Sequence, residues 1–178
     1  GFATDIRVLS DDPILWDDAD SSTADNKFGW YIDLPDSGER TVTNPVVRGD
    51  IVYFSTLIPS SDPCEYGGSG WLMAVKYENG GRPPSPVIDL NNSGSVSDDV
   101  FNQASGFSNL TGVASSGKKS SVGIPSAPAF LGNRMYIAGT GGGGGGSCVG
   151  SDCYIDDDTV ETLTPDGTGR LSWEELSL

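Results

Sequence analysis

The chain has 178 residues and carries 25 acidic against 10 basic side chains, a formal net charge of −15 at pH 7. A surface this acidic repels phosphate backbones, which excludes nucleic acid as a partner and favours cations or a basic protein surface. Histidine is absent, and with it go the commonest general base, the commonest zinc ligand and every Ser-His or Cys-His dyad.

The 25 glycines and 11 prolines, set between short apolar runs, predict many tight turns joining short strands. No run holds a 3.6-residue apolar period without a Gly or Pro breaking it, so little helix is expected. Residues 1–28 form an acidic N-terminal segment with one apolar cluster, Ile14, Leu15 and Trp16, and are expected to supply an edge or donor strand. The layout of a signal peptide is missing there, so any secretion signal is expected to have been removed or to lie upstream. No segment approaches the ~20 apolar residues of a membrane span.

From residue 29 the texture becomes β-like. WYIDL reads as a strand and PDSGER as a turn; TVTNPVV and IVYFSTLI form a hairpin turning at Arg48, Gly49 and Asp50. WLMAV and PVIDL are two further short strands, separated by the turn at Glu78–Gly81. Residues 45–55, PVVRGDIVYFS, are echoed by residues 128–138, PAFLGNRMYIA, at an offset of 83. That spacing suits about two blades of a propeller. The poly-glycine run Gly141–Gly146 reads as a surface loop, and DDDTVETL with RLSWEEL as a closing hairpin. Blades that do not close a ring leave unpaired strand edges, which something must cover.

The strongest candidate site is the loop from Asp89 to Asp99. Asp89, Asn91 and Ser93 stand at positions 1, 3 and 5, with Gly94 at the sharp turn of an EF-hand-like loop. Ser95 would offer its carbonyl, Ser97 falls at position 9, and Asp98 or Asp99 must complete the shell around a Ca²⁺ ion. A plain Asn-Ser-Gly turn is the competing explanation. Asp18, Asp20, Ser22 and Asp25 repeat the oxygen spacing without a turning glycine, as a solvated acidic loop also would. Arg48-Gly49-Asp50 spells a receptor-binding tripeptide, though a hairpin turn accounts for it without any receptor. Cys148 and Cys153 flank a loop short enough for a disulfide, which leaves Cys64 over; three free thiols remain the alternative. No nucleophile elbow and no activating base are present, so no enzyme is expected.

The strings GWYIDLPDSGER, TNPVVRGDIVYFSTLIPSSDPC, GGSGWLMAV, ENGGRPPSPVIDLN, GIPSAPAFLG and GRLSWEEL closely resemble the C-terminal propeller domain of the PilY/PilC family of type IV pilus tip adhesins and biogenesis factors. The resemblance implies an all-β fold over residues 29–178, the C-terminal portion of a modified, quinoprotein-like β-propeller. It also implies a role in pilus assembly and adhesion at the bacterial cell surface after export through the periplasm, the C-terminal part opposing retraction in a calcium-dependent way. The family's calcium pattern, Asp-x-Asx-x-Asp-x-x-x-Asp, falls on Asp89, Asn91, Ser93 and Ser97, so two carboxylates become hydroxyls. Expected partners are pilins, minor pilins or the rest of a longer precursor, with a host surface as a further one. The alternative is an extracellular filament subunit that completes its edges by exchanging strands with copies of itself.

Overall fold

The computed structural model describes residues 5–14, 16, 29–61, 67–91, 93–102, 111–140 and 155–159. Cys64, Cys148, Cys153, Asp18, Asp20, Ser22, Asp25 and the poly-glycine run lie outside the described residues. Among those described the chain is all-β, with no helix, and no helix is long and apolar enough to cross a membrane.

Among the described residues ten strands form three antiparallel sheets. The largest has the order β1-β7-β4-β3-β2, with β1 at Ile6–Arg7, β2 at Val46–Arg48, β3 at Ile51–Pro59, β4 at Gly68–Lys76 and β7 at Gly117–Lys119. β5, Val100–Asn102, pairs with β6, Thr111–Ala114. β8, Ala129–Leu131, and β10, Ile155–Thr159, flank β9, Arg134–Ala138.

The internal echo is reproduced bond for bond. Val46 pairs with Tyr53 and Arg48 with Ile51, while Ala129 pairs with Tyr136 and Leu131 with Arg134. Both hairpins turn through two residues, the first a glycine at positive φ: Gly49 at 56° and Gly132 at 61°. Such turns match the strand twist, and glycine adopts that φ without strain.

Because strand side chains alternate, the large sheet has two faces of different chemistry. One carries Ile51, Tyr53, Leu72 and Ala74, and the core packs on it through Val87, Ile88, Leu90, Val122, Met135 and Ile137. The opposite face carries Thr56, Trp71 and Arg7. There the guanidinium of Arg7 lies 3.8 Å from the centre of the Trp71 ring and forks onto Glu39 at 2.7 and 2.8 Å. The 122–126 segment sits against the sheets at glycines: a Cβ on Gly70 would lie 2.1 Å from the Thr56 carbonyl and 2.6 Å from Pro125.

Two expected strands differ. PVIDL is buried at Val87, Ile88 and Leu90 but forms no ladder with another described strand; it covers a sheet instead of extending one. WYIDL forms no strand and has no strand neighbour among the described residues, although its burial alternates, with Tyr31 and Asp33 exposed and Ile32 and Leu34 half-buried. Ile6 and Arg7, in the segment expected to supply an edge strand, pair with β7 of the same chain.

Candidate functional site

The candidate site follows directly from the buried 87–90 segment. Val87, Ile88 and Leu90 are held in the core, which anchors Asp89 at only 2% exposure. From there the chain coils back on the Asp89 carboxylate. Its Oδ1 accepts from the Asn91 amide at 3.2 Å and the Ser93 amide at 3.1 Å, and its Oδ2 from the Gly94 amide at 2.7 Å. Gly94 has φ 81°, the left-handed turn that the loop spacing required of a glycine.

The other predicted residues gather around this turn. Asn91 Oδ1 accepts from the Ser93 amide at 2.8 Å, and its Nδ2 donates to Asp98 Oδ2 at 3.3 Å. The Ser93 hydroxyl donates to the Ser95 carbonyl at 3.0 Å, and the Ser95 and Ser97 hydroxyls meet at 3.0 Å. The loop thus brings together Asp89, Asn91, Ser93, Ser95, Ser97 and Asp98, largely through its own hydrogen bonds.

Asp99 is different. It is wholly buried, and neither carboxyl oxygen has a hydrogen-bond partner of ordinary geometry. Burial pushes its pKa up to about 6; the nearby Asp89 and Asp98 charges add to that, while the Leu90 amide and the Lys118 ammonium pull it back. Lys118, itself buried, reaches from β7 beneath the loop and donates to the Asp89 carbonyl at 3.2 Å. Nothing in the local sequence marks Lys118, since sheet pairing alone brings it to the loop.

A raised carboxyl pKa has a definite sign for stability. The folded chain holds the Asp99 proton more tightly than the unfolded one, whose value is near 3.8. The associated stability is full below that value and is lost as pH rises through about 6. Metal-free protein should therefore gain stability between pH 7 and 5 in urea titrations. Asp99→Asn should flatten this dependence and stabilise the chain at pH 7 by about 2 kcal/mol. A wild-type midpoint that does not change between those pH values would refute this account.

The donor set suits a hard cation in kind, because every candidate ligand is an oxygen. The two buried Asp99 oxygens, which lack a hydrogen bond of ordinary geometry, are what a bound cation would satisfy, since buried carboxylates are otherwise hydrogen-bonded or paired. It is thin in charge: among the described residues no three His, Cys, Asp or Glu side chains cluster closely enough to hold a metal ion.

The Arg48-Gly49-Asp50 tripeptide forms the β2–β3 turn. Its Arg48 guanidinium lies 4.8 Å from the centre of the Phe130 ring, with Nη1 buried. That packing holds the arginine against the β8–β9 hairpin, away from the extended presentation a receptor loop needs.

No family model matches the chain. Among known proteins, a PilY1 homolog described as a type IV pilus biogenesis factor of Xylella fastidiosa is 34% identical over 159 residues, which is 83% of this chain and 11% of the relative. The PilY1 pilus biogenesis factor of Pseudomonas aeruginosa is 34% identical over 98 residues, 53% of this chain and 8% of the relative. The chain therefore spans about a tenth of the length of these relatives. The crystal structure of the Pseudomonas aeruginosa PilY1 C-terminal domain superposes with a TM-score of 0.61 at 24% identity, over 88% of this chain and 28% of that one. The resemblance and the all-β fold read from the sequence are borne out.

Proposed function

We propose that this chain, similar in sequence to PilY1-type factors and sharing the fold of the PilY1 C-terminal domain, supports type IV pilus biogenesis as a non-enzymatic module at the bacterial cell surface. The observation that carries this reading is the 34% identity over 83% of the chain to a pilus biogenesis factor. Folded-back pairing of Ile6 and Arg7 with β7 favours it over strand exchange between copies, because that edge already has a partner. Deleting the coding region and counting surface pili by electron microscopy tests it. Loss of pili, restored by the intact gene, is expected; unchanged piliation would overturn the assignment.

Calcium is the modulator this reading assigns to the loop. Asp89, Asn91, Ser93, the Ser95 carbonyl, Asp98 and Asp99 would hold it, supplying oxygen ligands of which few carry charge. Affinity scales with ligand charge, so the dissociation constant should be weak, on the order of 10⁻⁴–10⁻³ M. Calorimetry on the intact chain should show calcium heat that Asp98→Asn weakens and Ser93→Asp strengthens. Asp89→Asn should abolish it, with circular dichroism confirming that the variant is folded. The absence of calcium heat in both the parent chain and Ser93→Asp would rule out this ion.

A further inference from the structure

Beyond β1, residues of Val8–Ile14 and of Tyr31–Pro35, which belong to no strand among the described residues, line the same surface depression. Between them lies an open cavity of about 350 Å³, lined also by Asn79, Gly80 and Gly81. A second cavity of about 180 Å³ adjoins it, sharing Leu9, Ile32 and Asp33 and reaching Met73. Together they make a trough within the size range of ligand sites, roughly 300–1,000 Å³. Its walls are fixed. Trp30 donates from Nε1 to the Tyr77 carbonyl at 2.8 Å and rests on Gly80, where a Cβ would come 2.5 Å from the ring. On the other wall, Asn79 Nδ2 donates to Asp11 Oδ1 and to the Asp12 carbonyl, both at 3.0 Å.

Among the described residues, two features of the trough are unused by the fold. No backbone hydrogen bond joins Tyr31, Ile32, Asp33 or Leu34 to another described residue, although their side chains alternate out and in as on a strand. In addition, the carboxylates of Asp12 and Asp33 have no hydrogen bond or ion pair among the described residues, and the Tyr31 ring stands 84% exposed beside them. Backbone groups left without partners beside a trough accept an added strand, with the ladder giving affinity and alternate side-chain contacts giving specificity. Two unpaired carboxylates and an open aromatic face select a cationic side chain.

The geometry points to a peptide site: we propose that this trough binds an extended, lysine- or arginine-bearing segment of a partner protein. The inference goes beyond the pilus reading and stands on the trough alone, so either can fail without the other.

The test uses fluorescein-labelled Val-Lys-Val-Lys-Val and Val-Glu-Val-Glu-Val peptides, followed by anisotropy with the full chain at about 50 mM NaCl, where screening is modest. The basic peptide should bind at least about tenfold more tightly than the acidic one, since like charges would face each other in the latter. Asp12→Asn with Asp33→Asn should weaken it about fivefold or more. Asp50→Asn with Asp158→Asn, which changes net charge equally at the β2–β3 turn and in β10, outside the trough, should leave it intact. Methylating alternate peptide nitrogens should weaken binding as well, by removing the ladder donors. No binding at about 1 mM basic peptide, or equal weakening by both double variants, would overturn the proposal, the latter by assigning binding to the overall acidic field.

Discussion

Glu39→Ala should destabilise the chain by about 3–5 kcal/mol, the loss expected when one partner of a buried pair is removed. The Glu39 side chain is fully buried, and it accepts from both Arg7 nitrogens, from the Thr56 hydroxyl at 2.6 Å and from the Asp36 amide at 3.3 Å. Without it, Arg7 keeps, among the described side chains, only the acceptor Asp36 at 3.0 Å, itself 42% exposed. The guanidinium would then remain sandwiched on Trp71 with most of its donors unanswered. Burial alone would raise the Glu39 carboxyl, but the bonds from Arg7, Thr56 and the Asp36 amide outweigh it and hold the pKa below 4.5. A depressed carboxyl contributes stability that is present above the unfolded value and lost as pH falls through the folded one, so this clasp weakens only in acid. Urea titration at pH 7 measures the loss. Replacing both partners, Arg7→Met with Glu39→Leu, should recover most of it, because no charge is then stranded. A Glu39→Ala loss below about 1 kcal/mol, the range of exposed pairs, would show that the pair behaves as a surface one.

Tyr53→Ala should cost about as much, roughly 3–5 kcal/mol, through a different mechanism. Tyr53 has no exposure; its ring meets Phe130 edge-on, with centroids 5.0 Å apart and planes at 63°. Its hydroxyl is pushed up to about 12, with burial as the cause, so it stays neutral throughout the accessible pH range. Truncation opens a cavity between β3 and the β8–β9 hairpin, the contact that joins the two repeated units. Hydrogen exchange should therefore quicken in β8 and β9 before β4, which remains paired to β3 over its full nine residues. Tyr53→Phe keeps the ring and should cost about 1 kcal/mol. Equal exchange in all strands would mean that the hairpin is held by other contacts.

Much of the fold was legible because its cause is local. The repeated hairpins could be read since a glycine at positive φ between alternating apolar runs has few alternatives, and both turns fall on Gly49 and Gly132. The loop at Asp89 was equally readable, as oxygen residues at every second position with a glycine at the sixth impose the coil that the Asp89 carboxylate closes. What escaped depends on residues far apart in sequence. GKK carries no apolar alternation, and it is a strand only because β1 and β4 offer it ladders on both sides. PVIDL has the composition of a strand, yet burial against the sheet satisfies it without pairing. Arg7, Glu39 and Asp36 look like ordinary surface charges in sequence; only the sheet brings them onto Trp71.

The placement of β1 sets an order of events. Ile6 pairs with Lys118 and Arg7 with Gly117, so the two members of this ladder are separated by more than a hundred residues of chain. While the polypeptide grows from its N-terminal side, the β2–β3–β4 meander can assemble early, each strand meeting its neighbour as it appears. The first strand has to wait until β7 has been made. Loop closure over that distance is slow, which makes the seating of Ile6 and Arg7 a late step that locks the large sheet after its centre has formed.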